Sequence, residues 1–166
     1  MNTATTTPTH LFVQMGLTAW HGQNSKVDEL LGKLSDGQFL TETAPGKNAG
    51  IYLLGHLAAV NDGLFHLLGI GERLHPELDK IFIFNADKSG QEMPSVIELK
   101  KYWTDINAAL TEQFNKMNPE EWFTRHTKVS EEDFAKEPQR NKLNVIITRT
   151  IHQGYHLGQM NYLKSV

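Results

Sequence analysis

The sequence predicts an all-α protein, and more specifically a four-helix bundle. Four segments of about 20 residues each carry apolar side chains at three- or four-residue steps, the spacing of one helix face. The breaks between them contain glycine, proline, serine and aspartate, which favour turns. The clearest strand-like run, at residues 81–84 (IFIF), is too short to form a sheet.

The first helix is predicted over residues 8–34, and a Ser35-Asp36-Gly37 turn follows it. The second is predicted over residues 49–69, where Gly69 and Gly71 are suitable terminators. One face of this second helix carries the following mostly apolar side chains: Tyr52, Leu53, His56, Ala59, Val60, Gly63 and Leu67. Residues 81–84 beyond it could form either a short strand or an apolar loop packed on the bundle.

The third helix begins at a capping box formed by Ser95 and Glu98, and the Asn118-Pro119 pair ends it. Residues 120–142 are polar and predict a long connection with room for one short helix. The last helix is predicted over residues 143–164. Its β-branched start resembles a strand, but His152, His156 and Leu163 continue it at helical spacing. The long connections after helices two and three mean that up-down-up-down order is not required.

The bulk composition fits a single domain over residues 1–166. A formal charge of −3 offers no basic excess, so we expect no nucleic-acid partner. Because the chain has no cysteine, it can form neither a disulfide nor a thiolate metal site. No signal peptide is evident, and no stretch approaches the ~20 apolar residues that span a membrane. We therefore expect a soluble protein of the cytoplasm without a membrane partner.

Two of the eight histidines, His152 and His156, are four residues apart on the last helix and about 40° apart around it. They share a narrow stripe with Val145, Thr148, Gln159 and Leu163, so they are predicted to face inwards. Buried imidazoles without partners cost free energy, and one cation could satisfy both. Alternatively, such histidines are hydrogen-bonded within the core and bind no metal.

A third ligand would have to come from another helix. His56 fits best, because it interrupts the apolar stripe of the second helix near its middle. Three histidines around one ion leave coordination positions open, which is typical of catalytic metal sites. Three imidazoles suit zinc, nickel, copper and iron alike.

Two short motifs carry a family resemblance: residues 54–57 (LGHL) in helix two and residues 151–159 (IHQGYHLGQ) in the last helix. With this order of helices, the chain resembles the DinB-like superfamily of metalloenzymes. The resemblance implies an up-down-down-up bundle, often a homodimer, with a three-histidine site for zinc, nickel or a similar ion. Carried over to this sequence, the ligands are His56, His152 and His156. Characterised relatives include bacillithiol S-transferases and mycothiol-dependent maleylpyruvate isomerase, which implies a low-molecular-weight thiol as a possible second cofactor.

Two functions follow from such a site. The first is a metal-dependent enzyme acting on a small molecule, as a thiol S-transferase or in a hydrolase-like reaction. The second is a non-catalytic metal-binding or stress-response bundle in which the ion is structural. A zinc protease of the His-Glu-x-x-His class is disfavoured, because Gln153 stands where the general base would be.

The sequence names no general acid or base. Tyr52, one turn before His56, and Thr148 and Gln159, which flank the histidine pair, are the candidates for contacting the ligands or a substrate. Each could equally be a packing residue.

Overall fold

The computed structural model describes residues 7–165, and these residues form helices and connections without a strand. The α-helices are α1 (Pro8–Lys33), α2 (Asp36–Phe39), α3 (Gly50–Asp62), α4 (Leu64–Leu68), α5 (Leu78–Phe82), α6 (Val96–Phe114), α7 (Glu131–Lys136) and α8 (Lys142–Met160). Two 3-10 helices cover Pro119–Phe123 and Asn161–Ser165. The all-α prediction is confirmed.

Three of the long helices, α1, α6 and α8, begin at a residue whose side chain accepts a hydrogen bond from a first-turn backbone amide. Ser95 accepts a hydrogen bond from the Glu98 amide, and Glu98 returns one to the Ser95 amide at 2.8 Å, so the predicted capping box is confirmed. The side chains of Thr7 and Asn141 accept one backbone hydrogen bond each, at the starts of α1 and α8, without a returning bond.

Four long helical units enclose the core. Helix α1 packs along α8, while α3 packs against both α6 and α8. The largest buried side chains between them are Trp20, Trp103, Trp122, Phe39, Phe82 and Phe114. This packing places α3 and α8, the two helices that carry the candidate ligands, in direct contact. The up-down-down-up order of the helices stays a prediction.

The structure corrects several predicted boundaries. Helix α6 ends at Phe114, before the predicted Asn118-Pro119 end, and α8 ends at Met160, where a 3-10 helix continues the chain. The short helix α2 begins within the predicted turn at residues 35–37.

Two further corrections concern the second helix and the apolar run that follows it. The second predicted helix is divided at Gly63 into α3 and α4. The sequence predicts a strand or a loop at residues 81–84. Instead, Ile81 and Phe82 are the last two residues of α5. An apolar run of four residues cannot distinguish these outcomes, and here Phe82 is fully buried while Phe84 is 75% exposed.

Residues 120–142 contain more structure than the single short helix for which the prediction left room. Part of the 3-10 helix Pro119–Phe123 and all of α7 lie within them. Trp122 and Val129 are buried, so the connection is packed onto the bundle.

The sequence predicts no stretch that approaches membrane-spanning length, but the helical segment Gly50–Leu68 comes close to it. Its 19 residues have a mean hydropathy of 1.2, which by length and composition alone is enough to cross a bilayer. However, 67% of the segment is buried inside the protein, as in the core helix of a soluble protein.

A polar chain crosses the core and touches all four long helices. Gln153 of α8 donates to Asn61 of α3 at 3.1 Å, and Asn61 donates to Asn107 of α6 at 2.8 Å. Asn24 of α1 donates to the same Asn107 oxygen at 3.3 Å. Since buried amides without partners are costly, these hydrogen bonds between side-chain amides fix the relative positions of the helices.

Candidate metal centre

Three histidine side chains meet between α3 and α8. The Nε2 atom of His152 lies 3.2 Å from Nε2 of His56 and 3.0 Å from Nε2 of His156. The candidate ligand atoms of the three residues all lie within 4.8 Å of one another, and all three side chains are half-buried. The structure therefore brings together the three residues that the sequence singled out.

Helical geometry explains this convergence. One turn of α8 separates His152 from His156, so their rings stand side by side with centroids 4.5 Å apart. His56 projects from α3, and its ring centroid lies 5.1 Å and 5.0 Å from those of His152 and His156. Each ring meets the others edge to face, which leaves the ring nitrogens pointing at a common centre.

Hydrogen bonds on the far side of two rings determine which nitrogen carries the proton. His56 Nδ1 lies 2.8 Å from the backbone oxygen of Phe82, which can only accept, so His56 donates from Nδ1. His156 Nδ1 lies 2.7 Å from Oε1 of Gln159 and donates in the same way. In their neutral forms both rings then present an unprotonated Nε2 to the common centre.

Close packing of α5 on α3 supports the His56 ring. A Cβ atom at Gly55 would lie 2.3 Å from the Phe82 ring, so only glycine allows this approach. Phe82 thereby places its carbonyl beside His56. The hydroxyl of Tyr52 donates to the carbonyls of Asn85 at 2.8 Å and Phe82 at 3.5 Å, which holds the same turn of chain.

The centre favours neutral imidazoles. Burial, with smaller contributions from His156, His56 and Arg149, lowers the pKa of His152 to about 4. Burial also lowers the pKa of His156, and its hydrogen bond with Gln159 only partly opposes this. Neutral imidazole is the form that binds transition metals.

The geometry fits a metal ion better than it fits a hydrogen-bonded cluster. In a hydrogen-bonded cluster, a single proton on His152 Nε2 would have to serve two acceptors, the Nε2 atoms of His56 and His156. The buried Nδ1 of His152 has no partner in either arrangement, so it does not distinguish them. Ligand nitrogens about 2.0–2.1 Å from one ion are about 2.9 Å apart in octahedral and about 3.3 Å apart in tetrahedral geometry. The observed separations of 3.0 and 3.2 Å lie in that range. The three histidines could hold a divalent metal.

The structure gives the other three candidate residues different positions. Gln159 contacts His156, and Tyr52 stacks beside His56 with ring centroids 6.4 Å apart while supporting the Phe82 carbonyl. Thr148 is exposed, and its hydroxyl donates to the carbonyl of Val145 within α8. The structure shows no contact between Thr148 and the three histidines.

Gln153, between the two histidines of α8, is fully buried and faces Asn61 rather than the three ligands. A glutamate there would point away from the ion, which adds a geometric reason against a His-Glu-x-x-His protease.

Sequence reasoning missed two contributors. A backbone carbonyl such as that of Phe82 has no sequence signature, although the glycine before His56 was a signal that another segment approaches closely. Arg149 lies one turn before His152 on α8 and lowers the pKa of that histidine. Its position at helical spacing from a ligand could have identified it.

The comparisons agree with this architecture. No curated protein matches the chain. The family model of the DinB superfamily matches residues 19–160, a range that runs from within α1 to the end of α8 and contains all three histidines. With most of its length matched, this all-helical chain belongs to the DinB superfamily.

Proposed function

We propose that the protein is a metal-dependent enzyme that transfers a small-molecule thiol to an electrophile, using one divalent ion held by His56, His152 and His156. The observation that carries the proposal is the position of His152 Nε2, which lies 3.2 Å from Nε2 of His56 and 3.0 Å from Nε2 of His156, with the His56 and His156 rings oriented by hydrogen bonds. Zinc and nickel are the ions we propose first, since imidazole suits both.

Three protein ligands support a reactive role for the ion. A closed structural zinc site has four protein ligands, whereas three leave a position for an exogenous molecule. The three histidine side chains are half-buried rather than fully enclosed, which supports a position open to such a molecule. When bound, the ion would hold an added thiol as its thiolate at neutral pH.

The ligand set supports thiol transfer over hydrolysis. Among residues 7–165, the candidate metal group contains three histidines and no carboxylate. Hydrolysis by a metal-activated water commonly uses a carboxylate general base, whereas a thiolate needs none. In the transfer, the sulfur forms a bond to carbon, the leaving group departs with the bonding electrons, and the thiol proton passes to solvent.

Substitution of His152 by alanine tests this function against a structural role for the ion. In the parent, purified without a histidine tag and loaded with zinc or nickel, we expect turnover of thiol–electrophile pairs. His152→Ala should abolish turnover and metal uptake, while His10→Ala, at an exposed histidine of α1, should change neither. A parent that shows no turnover, with a large loss of thermal stability in His152→Ala, would favour a structural ion.

We also propose that two copies of the chain associate. Exposed apolar side chains one turn apart support this: Leu11 and Met15 on α1 are 52% and 60% exposed, and Ile151 and Tyr155 on α8 are 68% and 65% exposed. Light scattering coupled to size-exclusion chromatography should give twice the mass of the chain. A mass equal to that of one chain would refute the homodimer.

A further inference from the structure

A cavity lies about one helical turn along α3 and α8 from the metal centre. It has a volume of about 410 Å³ and lies between α3, α4, α8 and the segments that follow α4 and α5. Its walls include Ala59 and Val60 of α3, Ile83 after α5, and the basic side chains of Lys128 and Arg149. No residue of the histidine centre lines it, so the cavity is a neighbouring space.

Four of the residues that line this cavity are close along the chain to a metal ligand or to its hydrogen-bond partner. Ala59 and Val60 follow His56 by one turn of α3, and Arg149 precedes His152 by one turn of α8. Ile83 directly follows Phe82, whose carbonyl accepts the His56 hydrogen bond. Since a helical turn rises about 5.4 Å, a small molecule bound at the ion could reach the cavity with a group a few bonds away.

One arginine at the cavity is already neutralised. Arg73 donates to Asp62 at 2.9 Å and makes two bonds to Asp79, at 2.5 and 2.7 Å. Both carboxylate oxygens of Asp79 thus accept hydrogen bonds from Arg73, and the Asp62 side chain is fully buried. His66, which also lines the cavity, has a carboxylate partner as well, because its Nε2 lies 3.0 Å from Oε2 of Glu72.

The other two cations have no carboxylate partner. Arg149 is half-buried, and its Nε is buried without a hydrogen-bond partner among residues 7–165. Lys128 forms no ion pair with any residue in that same range. Taking a guanidinium out of water without a counter-charge is costly, and burial lowers the pKa of Arg149 accordingly. An anionic ligand would supply the missing partner.

From this arrangement we infer a substrate subsite: Arg149, assisted by Lys128, binds the carboxylate of a small molecule whose reactive sulfur is held at the three-histidine centre. This inference rests on the proposed function and adds the chemical class of the substrate. Arg149 is suited to a carboxylate because a guanidinium offers two parallel N–H donors to its two oxygens. Lys128, exposed at the rim, contributes charge and attracts the anion.

The test compares two thiols of the same shape on the cobalt-loaded protein. The probes are 3-mercaptopropionate and its neutral amide, 3-mercaptopropionamide, titrated while the visible spectrum of the bound Co²⁺ is recorded. The parent should bind the carboxylate roughly ten- to a hundredfold more tightly, the usual range for a charged hydrogen-bonded pair. Arg149→Gln should lose most of that preference while keeping its affinity for the amide. Arg140→Gln, which removes an arginine outside the cavity paired with Glu137, should retain the preference.

The outcomes separate the two proposals. If the parent takes up no cobalt, or its spectrum responds to neither thiol, the proposed function fails and the subsite fails with it. If both thiols bind equally well to the cobalt protein, only the subsite is refuted. A preference that survives in folded Arg149→Gln also refutes it. Should Arg149→Gln not fold, a reduced preference in Lys128→Gln supports the subsite and an unchanged one refutes it.

Discussion

A methyl group added at position 55 perturbs the support of the metal centre without touching a ligand. In Gly55→Ala, the new Cβ would lie 2.3 Å from two atoms of the Phe82 ring and 2.6 Å from a third. Carbon atoms in contact are about 3.5–4.0 Å apart, so Phe82 must retreat by more than about 1 Å. Because Phe82 is fully buried, we expect its ring to move together with the α5 backbone, which would break the hydrogen bond of 2.8 Å between His56 Nδ1 and the Phe82 carbonyl.

Two effects of Gly55→Ala can be estimated. Overpacking costs about 1–3 kcal/mol, and the better helix propensity of alanine offsets about 0.5–1 kcal/mol of it, so the free energy of unfolding should fall by up to about 2.5 kcal/mol. Loss of the hydrogen bond that orients His56 should weaken metal binding roughly ten- to a hundredfold. Calorimetric titration of the metal-free protein with zinc measures the second effect.

The matched control is Gly22→Ala, in the middle of α1, where an added Cβ meets nothing within 4 Å. It should leave the zinc affinity unchanged and stabilise the protein by about 0.5–1 kcal/mol. If Gly55→Ala binds zinc as tightly as the parent, the Phe82 carbonyl does not orient His56 in the way argued above.

Three further predictions concern stability. Because the pKa of His152 is about 4 in the folded chain and about 6.5 when unperturbed, the unfolded state binds the extra proton between these values. The free energy of unfolding of the metal-free protein should therefore fall as the pH drops from 6.5 to 4, and this histidine can contribute at most about 1.4 kcal/mol per pH unit. In urea titrations, the free energy of unfolding of His152→Gln should depend less steeply on pH than that of the parent. Asn61→Ala leaves the Gln153 and Asn107 amides short of partners, so urea denaturation should show a loss of about 1–3 kcal/mol with zinc affinity retained. Asp62→Ala removes one carboxylate from Arg73 and should cost about 3 kcal/mol; an unchanged melting temperature would contradict the importance of that buried pair.

The long helices could be predicted from the sequence because their signals are local. The Ser95–Glu98 capping box and the apolar spacing after it define α6 without reference to any other part of the chain. Helix α5 was missed because a five-residue helix with two aromatic or β-branched residues at its end has little local signal. Its stability comes from distant contacts, such as Phe82 against Gly55.

The three histidines could be predicted for a different reason. Helical spacing places His152 and His156 on one side of α8, and His56 was the histidine on the inward stripe of another helix. What holds their rings could not be derived, since the partner of His56 is a backbone carbonyl 26 residues away. The orientation of Thr148 away from the centre was also beyond the reach of spacing alone.

X-ray absorption at the zinc edge on tag-free protein, combined with elemental analysis, tests whether His56, His152 and His156 hold one metal ion. We expect one zinc ion per chain, with three imidazole nitrogens at about 2.0–2.1 Å and one exchangeable ligand such as water. A spectrum with fewer than three imidazoles, or equal zinc content in the parent and in His152→Ala, would show that the three histidines do not form the metal centre.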